Sequence, residues 1–127
     1  MIITGFALTF VVLSIFTAVF QFGLTLGAPW GEYTMGGRYP GTLPDSFRVA
    51  TFFQGLVVLF FGWIVLSEAG LISPTFDRVS GVGIWVIVAF FLLSTVLNSI
   101  TNSRKERLLW APIAVVMLAS SLAVALG

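Results

Sequence analysis

The chain has 127 residues, 58% of them hydrophobic and only 9% charged, with a net charge of +1 and a mean hydropathy of +1.08. A soluble domain carries roughly 25% charged residues, so the composition describes one lipid-embedded domain over residues 1–127, with no electrostatic case for nucleic acid. Cysteine and histidine are both absent, which excludes disulfides, thiolate nucleophiles, Cys/His zinc sites and the usual axial haem ligands. No metal or cofactor is expected.

The fold expected is all-α: a polytopic membrane protein with four transmembrane helices in one bundle, over about 2–26, 47–66, 79–100 and 108–126. Crossing a bilayer takes about 20 apolar residues in a helix. No Asp, Glu, Lys or Arg interrupts these runs, except Arg48 at one edge. The first run has no basic n-region and no A-x-A site after it, so it reads as a retained helix rather than a cleaved signal. It ends in Gly23 and Gly27, a GxxxG spacing that permits close helix approach.

Between the first two runs lies "GAPWGEYTMGGRYPGTLP". A connection of about twenty residues is well past the usual 4–6. Disorder needs low hydrophobicity and high charge, whereas this segment holds Trp30, Tyr33, Met35, Tyr39 and Leu43. It is expected to be ordered, to fold back against the mouth of the bundle, and to place Gly36 or Gly37 at positive φ. Glu32 and Arg38 are positioned for a salt bridge within it.

Pro44-Asp45-Ser46 offers an N-cap for the second helix, and Thr51, Gly55 and Gly62 form a small-residue face on it. Ser73-Pro74 supplies a cap with proline at N1 before the third. Ser103 and Glu106 fit an S-x-x-E capping box for the fourth. Pro112 inside that helix removes a hydrogen bond to the Leu108 carbonyl, and Ala119, Ala123 and Gly127 repeat every four residues. No internal repeat is present.

Charge gives an orientation. Residues 27–46 and 101–107, with the adjoining Arg48, carry Arg38, Arg48, Arg104, Lys105 and Arg107, while residues 67–78 carry Arg78 alone. Cytoplasmic segments are enriched in Lys and Arg. The reading is therefore a multi-pass protein of the inner (plasma) membrane, with both basic loops cytoplasmic and both termini outside. Trp30, Tyr33, Tyr39 and Trp110 gather at the basic side as an interfacial belt.

The polar residues of the helices point to the same side. Gln21, Arg48, Gln54, Ser94, Asn98 and Asn102 all fall in that half, and intramembrane polar groups tend to face a bundle interior or a water-filled cavity. Such a vestibule is expected to be lined by Trp30, Glu32, Arg38, Tyr39, Arg48, Gln54, Asn98 and Asn102. Its arginines favour an anionic group, and Trp30 and Tyr39 supply apolar walls. Asn98 and Gln54 could equally tie helices together.

The stretches "LGAPWGEYTMGGRYPGTLPDSFR" and "LNSITNSRKERLLWAPIA" resemble a family of small bacterial four-helix membrane proteins with a "GAPWGE…GG…LP…R" loop. That family is uncharacterised, so the resemblance implies the fold and a bacterial membrane, and no catalytic residue. Three functions compete: a membrane protein binding a lipid or small anionic ligand at its vestibule, an accessory subunit of a larger membrane complex, and a small channel or exporter. Membrane lipid, a second copy or a larger complex are the partners considered. An enzyme is not expected, since only Glu32, Asp45 and Glu106 could act as acid or base and each has a structural task.

Overall fold

The structure, a computed structural model, describes residues 2–72 and 77–127, with the backbone alone for 77–80. Among these residues it is all-helical. Its long helices are α1 (Ile2–Thr25), α2 (Asp45–Glu68), α3 (Asp77–Ile100) and α4 (Arg104–Leu126), and two short 3-10 turns, Gly31–Tyr33 and Met35–Gly37, lie between α1 and α2. All four helices are long and apolar enough to cross a membrane, as a multi-pass membrane protein requires. At 1.5 Å per residue, 24 residues reach about 36 Å, against a hydrocarbon core of about 30 Å.

The helix ends follow from local chemistry. Both α1 and α2 close in a Schellman arrangement, which needs a left-handed residue after the last turn. Gly27 (φ 99°) and Gly70 (φ 76°) provide it. Ala28 N–H donates to the Gly23 carbonyl at 2.9 Å, and Leu71 N–H to the Leu66 carbonyl at 3.0 Å. At the start of α2 the cap differs from expectation. Pro44 is the N-cap and no side chain caps the helix; Asp45 is already inside the first turn, where it faces Arg48 at 3.6 Å. Ser73-Pro74 lies outside the described residues.

Packing divides the bundle into two helical hairpins, α1 with α2 and α3 with α4. These join mainly through α1 and α4, and α2 meets α3 over a shorter stretch. The small-residue face of α2 lies against α1: Gly55 faces the Phe22 ring, Gly62 faces Ser14, and the Thr25 and Thr51 hydroxyls are 2.9 Å apart. The central core gathers Phe10, Val65, Ile84, Ile87 and Met117, with Phe10 edge-on to Phe91 at 5.5 Å.

The other small-residue pairs do different work from that expected. Gly23 leaves a notch for the Trp30 ring rather than for a neighbouring helix, and Gly27 is the terminating residue of α1. On α4, Gly127 meets the Ile3 side chain but Ala119 is exposed.

Candidate functional site

One end of the bundle is built by the segment between α1 and α2. Its apolar side chains Tyr33, Met35, Tyr39 and Leu43 pack with Phe20, Leu24, Phe47 and Trp110 in a second hydrophobic cluster. Phe20 lies between two tryptophans, stacked on Trp30 at 5.9 Å and edge-on to Trp110 at 4.8 Å. The tight turn carries Met35, Gly36 and Gly37 at φ of 52°, 68° and 72°, so both glycines adopt the expected left-handed conformation.

This turn is fastened to the start of α4. Ser103 Oγ donates to the Glu32 carbonyl at 2.8 Å, Lys105 Nζ donates to Glu32 Oε1 at 2.7 Å, and Gly36 N–H donates to Glu106 Oε2 at 3.0 Å. The expected box is thus half formed. Ser103 Oγ accepts from Glu106 N–H at 3.1 Å, but the Glu106 carboxylate serves the distant Gly36 instead of returning to Ser103. The salt bridge of Glu32 is with Lys105, because the turn points Glu32 at α4 and leaves Arg38 exposed.

Beneath this turn lies a cavity of about 530 Å³, within the usual range of about 300–1,000 Å³ for small-molecule pockets. The two helical hairpins make its walls. At the far end α2 and α3 close together, with Phe61 on Phe90 at 5.2 Å and Ile64 against Gly83. Nearer the turn, Phe53 and Gln54 of α2 and Leu97 and Asn98 of α3 all line the cavity. Phe53 and Leu97 remain 58% and 53% exposed, so the seam between these helices opens sideways. That side faces acyl chains when the helices cross a bilayer.

The lining is graded along the helix axes. Thr34, Glu106, Asn98, Ser94, Gln21 and Gln54 stand toward the turn, while Phe61, Ile113 and Met117 form the floor. Met117 is eleven residues beyond Glu106, about 16 Å along the axis. Glu106 is the one charged residue on the lining and is 8% exposed. Among the described residues only Gly36 N–H bonds its carboxylate, through Oε2; Oε1 has no protein partner. Gln21 Oε1 is buried without a hydrogen bond among the described residues.

Of the eight residues expected to form the site, the cavity brings together Gln54 and Asn98. Asn98 Nδ2 donates to the Ser94 carbonyl at 2.8 Å, leaving its oxygen free to accept. The other six stand elsewhere. Trp30 rests in the Gly23 notch, Tyr39 packs on Phe47 at 4.9 Å, Glu32 holds Lys105, and Arg38 is exposed. Arg48 donates from Nε to the Thr25 carbonyl at 3.0 Å, supplying a cation to the C-terminus of α1. Asn102 is exposed and falls beyond the last residue of α3, Ile100, so it no longer shares a helix face with Asn98. Among the described residues no Lys or Arg lines the cavity, and no Asp/Glu cluster could hold a metal.

The residue that sequence reasoning assigned only to a cap is Glu106. Its signal was helical periodicity: Glu106, Trp110, Ile113, Ala114 and Met117 recur at spacings of three and four, and all line the cavity. Comparison with protein-family models, curated proteins and solved structures finds no match to this chain.

Proposed function

We propose that this chain is a small protein of a bacterial inner membrane that binds an amphiphilic molecule, entering from the bilayer through the seam between α2 and α3. In this reading the turn over the cavity is a lid on the cytoplasmic side. The observation that carries it is the graded cavity, polar under the lid and apolar at its floor, with a sideways opening at Phe53 and Leu97. A ligand with an apolar tail would reach it without leaving the membrane. Burying that tail contributes about 0.8 kcal/mol per CH₂ on water-to-hydrocarbon scales. The tail leaves lipid rather than water, however, so selectivity must come from the polar end.

The test uses purified protein in nanodiscs and a neutral probe, octanol carrying a photoreactive diazirine. Labelling is expected on Phe53, Val57 or Leu97, displaced by unlabelled octanol. Val57 of α2 lines the cavity and is 44% exposed, so Val57→Trp, which adds a bulky ring there, is expected to block labelling. Labelling spread evenly over all exposed apolar faces would overturn the proposal. Stoichiometric co-purification of another membrane protein covering the seam would support an accessory subunit instead.

A further inference from the structure

We propose that the ligand of this cavity carries an ammonium group, held at the lid end by the Glu106 carboxylate. The proposal rests on the binding reading above and adds the chemistry of the head group.

Three observations converge. Glu106 is 8% exposed and its Oε2 takes the bond from Gly36 N–H, while Oε1, an accessible oxygen, has no hydrogen-bond partner among the described residues. A buried carboxylate without a full set of donors is costly, and an N–H donor of positive charge is the partner that answers both needs. Gln21, on the same lining, holds a buried acceptor, Oε1, with no hydrogen bond among the described residues. Asn98 adds a half-buried acceptor, Oδ1, with one N–H of its amide given to the Ser94 carbonyl. The amides of Gln21 and Asn98 can donate as well as accept, so the Glu106 carboxylate, an acceptor alone, is the group that selects an N–H donor of positive charge.

The walls agree with the acceptors. Phe20 and Trp110 line the cavity beside Glu106, and aromatic faces attract cations through their quadrupoles. No Lys or Arg on the lining competes for the carboxylate. Lys105, one residue away, is engaged with Glu32 at 2.7 Å and lies 5.7 Å from the Tyr33 ring centre. An anionic head group would meet Glu106 with no compensating cation. Along the axis, a head at Glu106 directs an alkyl tail toward Phe61 and Met117.

Two sources supply this chemistry: an aminophospholipid of the surrounding bilayer, or a free lipophilic amine. The experiment compares octylammonium, octanol and octanoate as competitors of the octanol photolabel, with concentrations expressed in the bilayer. Octylammonium is expected to compete at concentrations about tenfold lower than octanol, as a charge-assisted hydrogen bond implies. Octanoate should be the weakest. Glu106→Gln keeps an acceptor for Gly36 N–H and is expected to bring octylammonium and octanol within about twofold of each other.

Equal competition by all three heads in the wild-type protein would overturn the ammonium assignment while leaving the cavity reading intact. Absence of saturable octanol labelling would overturn the cavity reading itself. The wild-type ranking decides the matter even if the variant does not fold. Loss of octylammonium competition in nanodiscs containing phosphatidylethanolamine, relative to phosphatidylglycerol alone, would assign the lipid as the source. Unchanged competition would assign a free amine.

Discussion

Gly36 and Glu106, seventy residues apart in sequence, are joined by a 3.0 Å hydrogen bond from backbone N–H to carboxylate. The bond ties the turn at Gly36 to α4 and occupies one of the two carboxylate oxygens. A hydrogen bond to a charged group contributes about 1.5–3 kcal/mol. Glu106→Ala is therefore expected to lower the unfolding midpoint in detergent, and Glu106→Gln to lower it less. A midpoint unchanged by Glu106→Ala would show that the lid is held by its apolar cluster alone.

Backbone conformation and steric room separate at two lid glycines. Gly37 and Gly41 both have positive φ, at 72° and 84°, but a Cβ on Gly37 would come within 3.1 Å of Ser103 Cβ while one on Gly41 meets nothing within 4 Å. Left-handed backbone costs a non-glycine residue roughly 1–2 kcal/mol. Gly41→Ala is expected to cost about that amount, and Gly37→Ala more, in equilibrium unfolding. Equal losses would mean that Ser103 yields without penalty.

The α1–α2 interface gives a third contrast. A Cβ at Gly55 would strike the Phe22 ring, whereas one at Gly5 meets nothing within 4 Å. Overpacking of this kind costs typically 1–3 kcal/mol. Gly55→Ala should accordingly lower the melting temperature. Gly5→Ala is expected to leave it level or raise it slightly, since alanine favours helix by roughly 0.5–1 kcal/mol. A reversed order would place the tight contact elsewhere.

Orientation is open to direct measurement. With Arg38, Arg48, Arg104, Lys105 and Arg107 at the end of the bundle that carries the turn, the positive-inside tendency predicts a cytoplasmic position for that end. A periplasm-active reporter fused after Gly127 is expected to be active, as is a cytoplasm-active reporter inserted at Asn102. Silence from both would reverse the orientation.

The four helices were legible as apolar runs, but their ends were not read equally well. The apolar run of α4 begins only at Leu108, because Arg104 to Arg107 are charged and hydropathy gives no credit to a polar first turn, whereas the Ser103 cap of the S-x-x-E pattern marks the observed start at Arg104. Gln54 and Asn98 line the cavity, in keeping with the tendency of polar groups in membrane spans to face inward. The arginines misled for a physical cause: Arg48 satisfies an orphan carbonyl of α1, a role that depends on where two helix ends meet in space. Glu106 was masked by a local motif that explained it adequately. Its bond to Gly36 is a tertiary contact that short-range patterns do not contain.

The tether between Gly36 and Glu106 also sets a timetable. A ribosome adding about 5–20 residues per second needs roughly 4–14 s to travel from one to the other. Until α4 emerges, the lid has no carboxylate, no Ser103 and no Lys105 to bind. The cavity is therefore finished last, during biogenesis rather than at first insertion, and a nascent chain stalled before residue 106 would carry its first two helices with the lid unanchored.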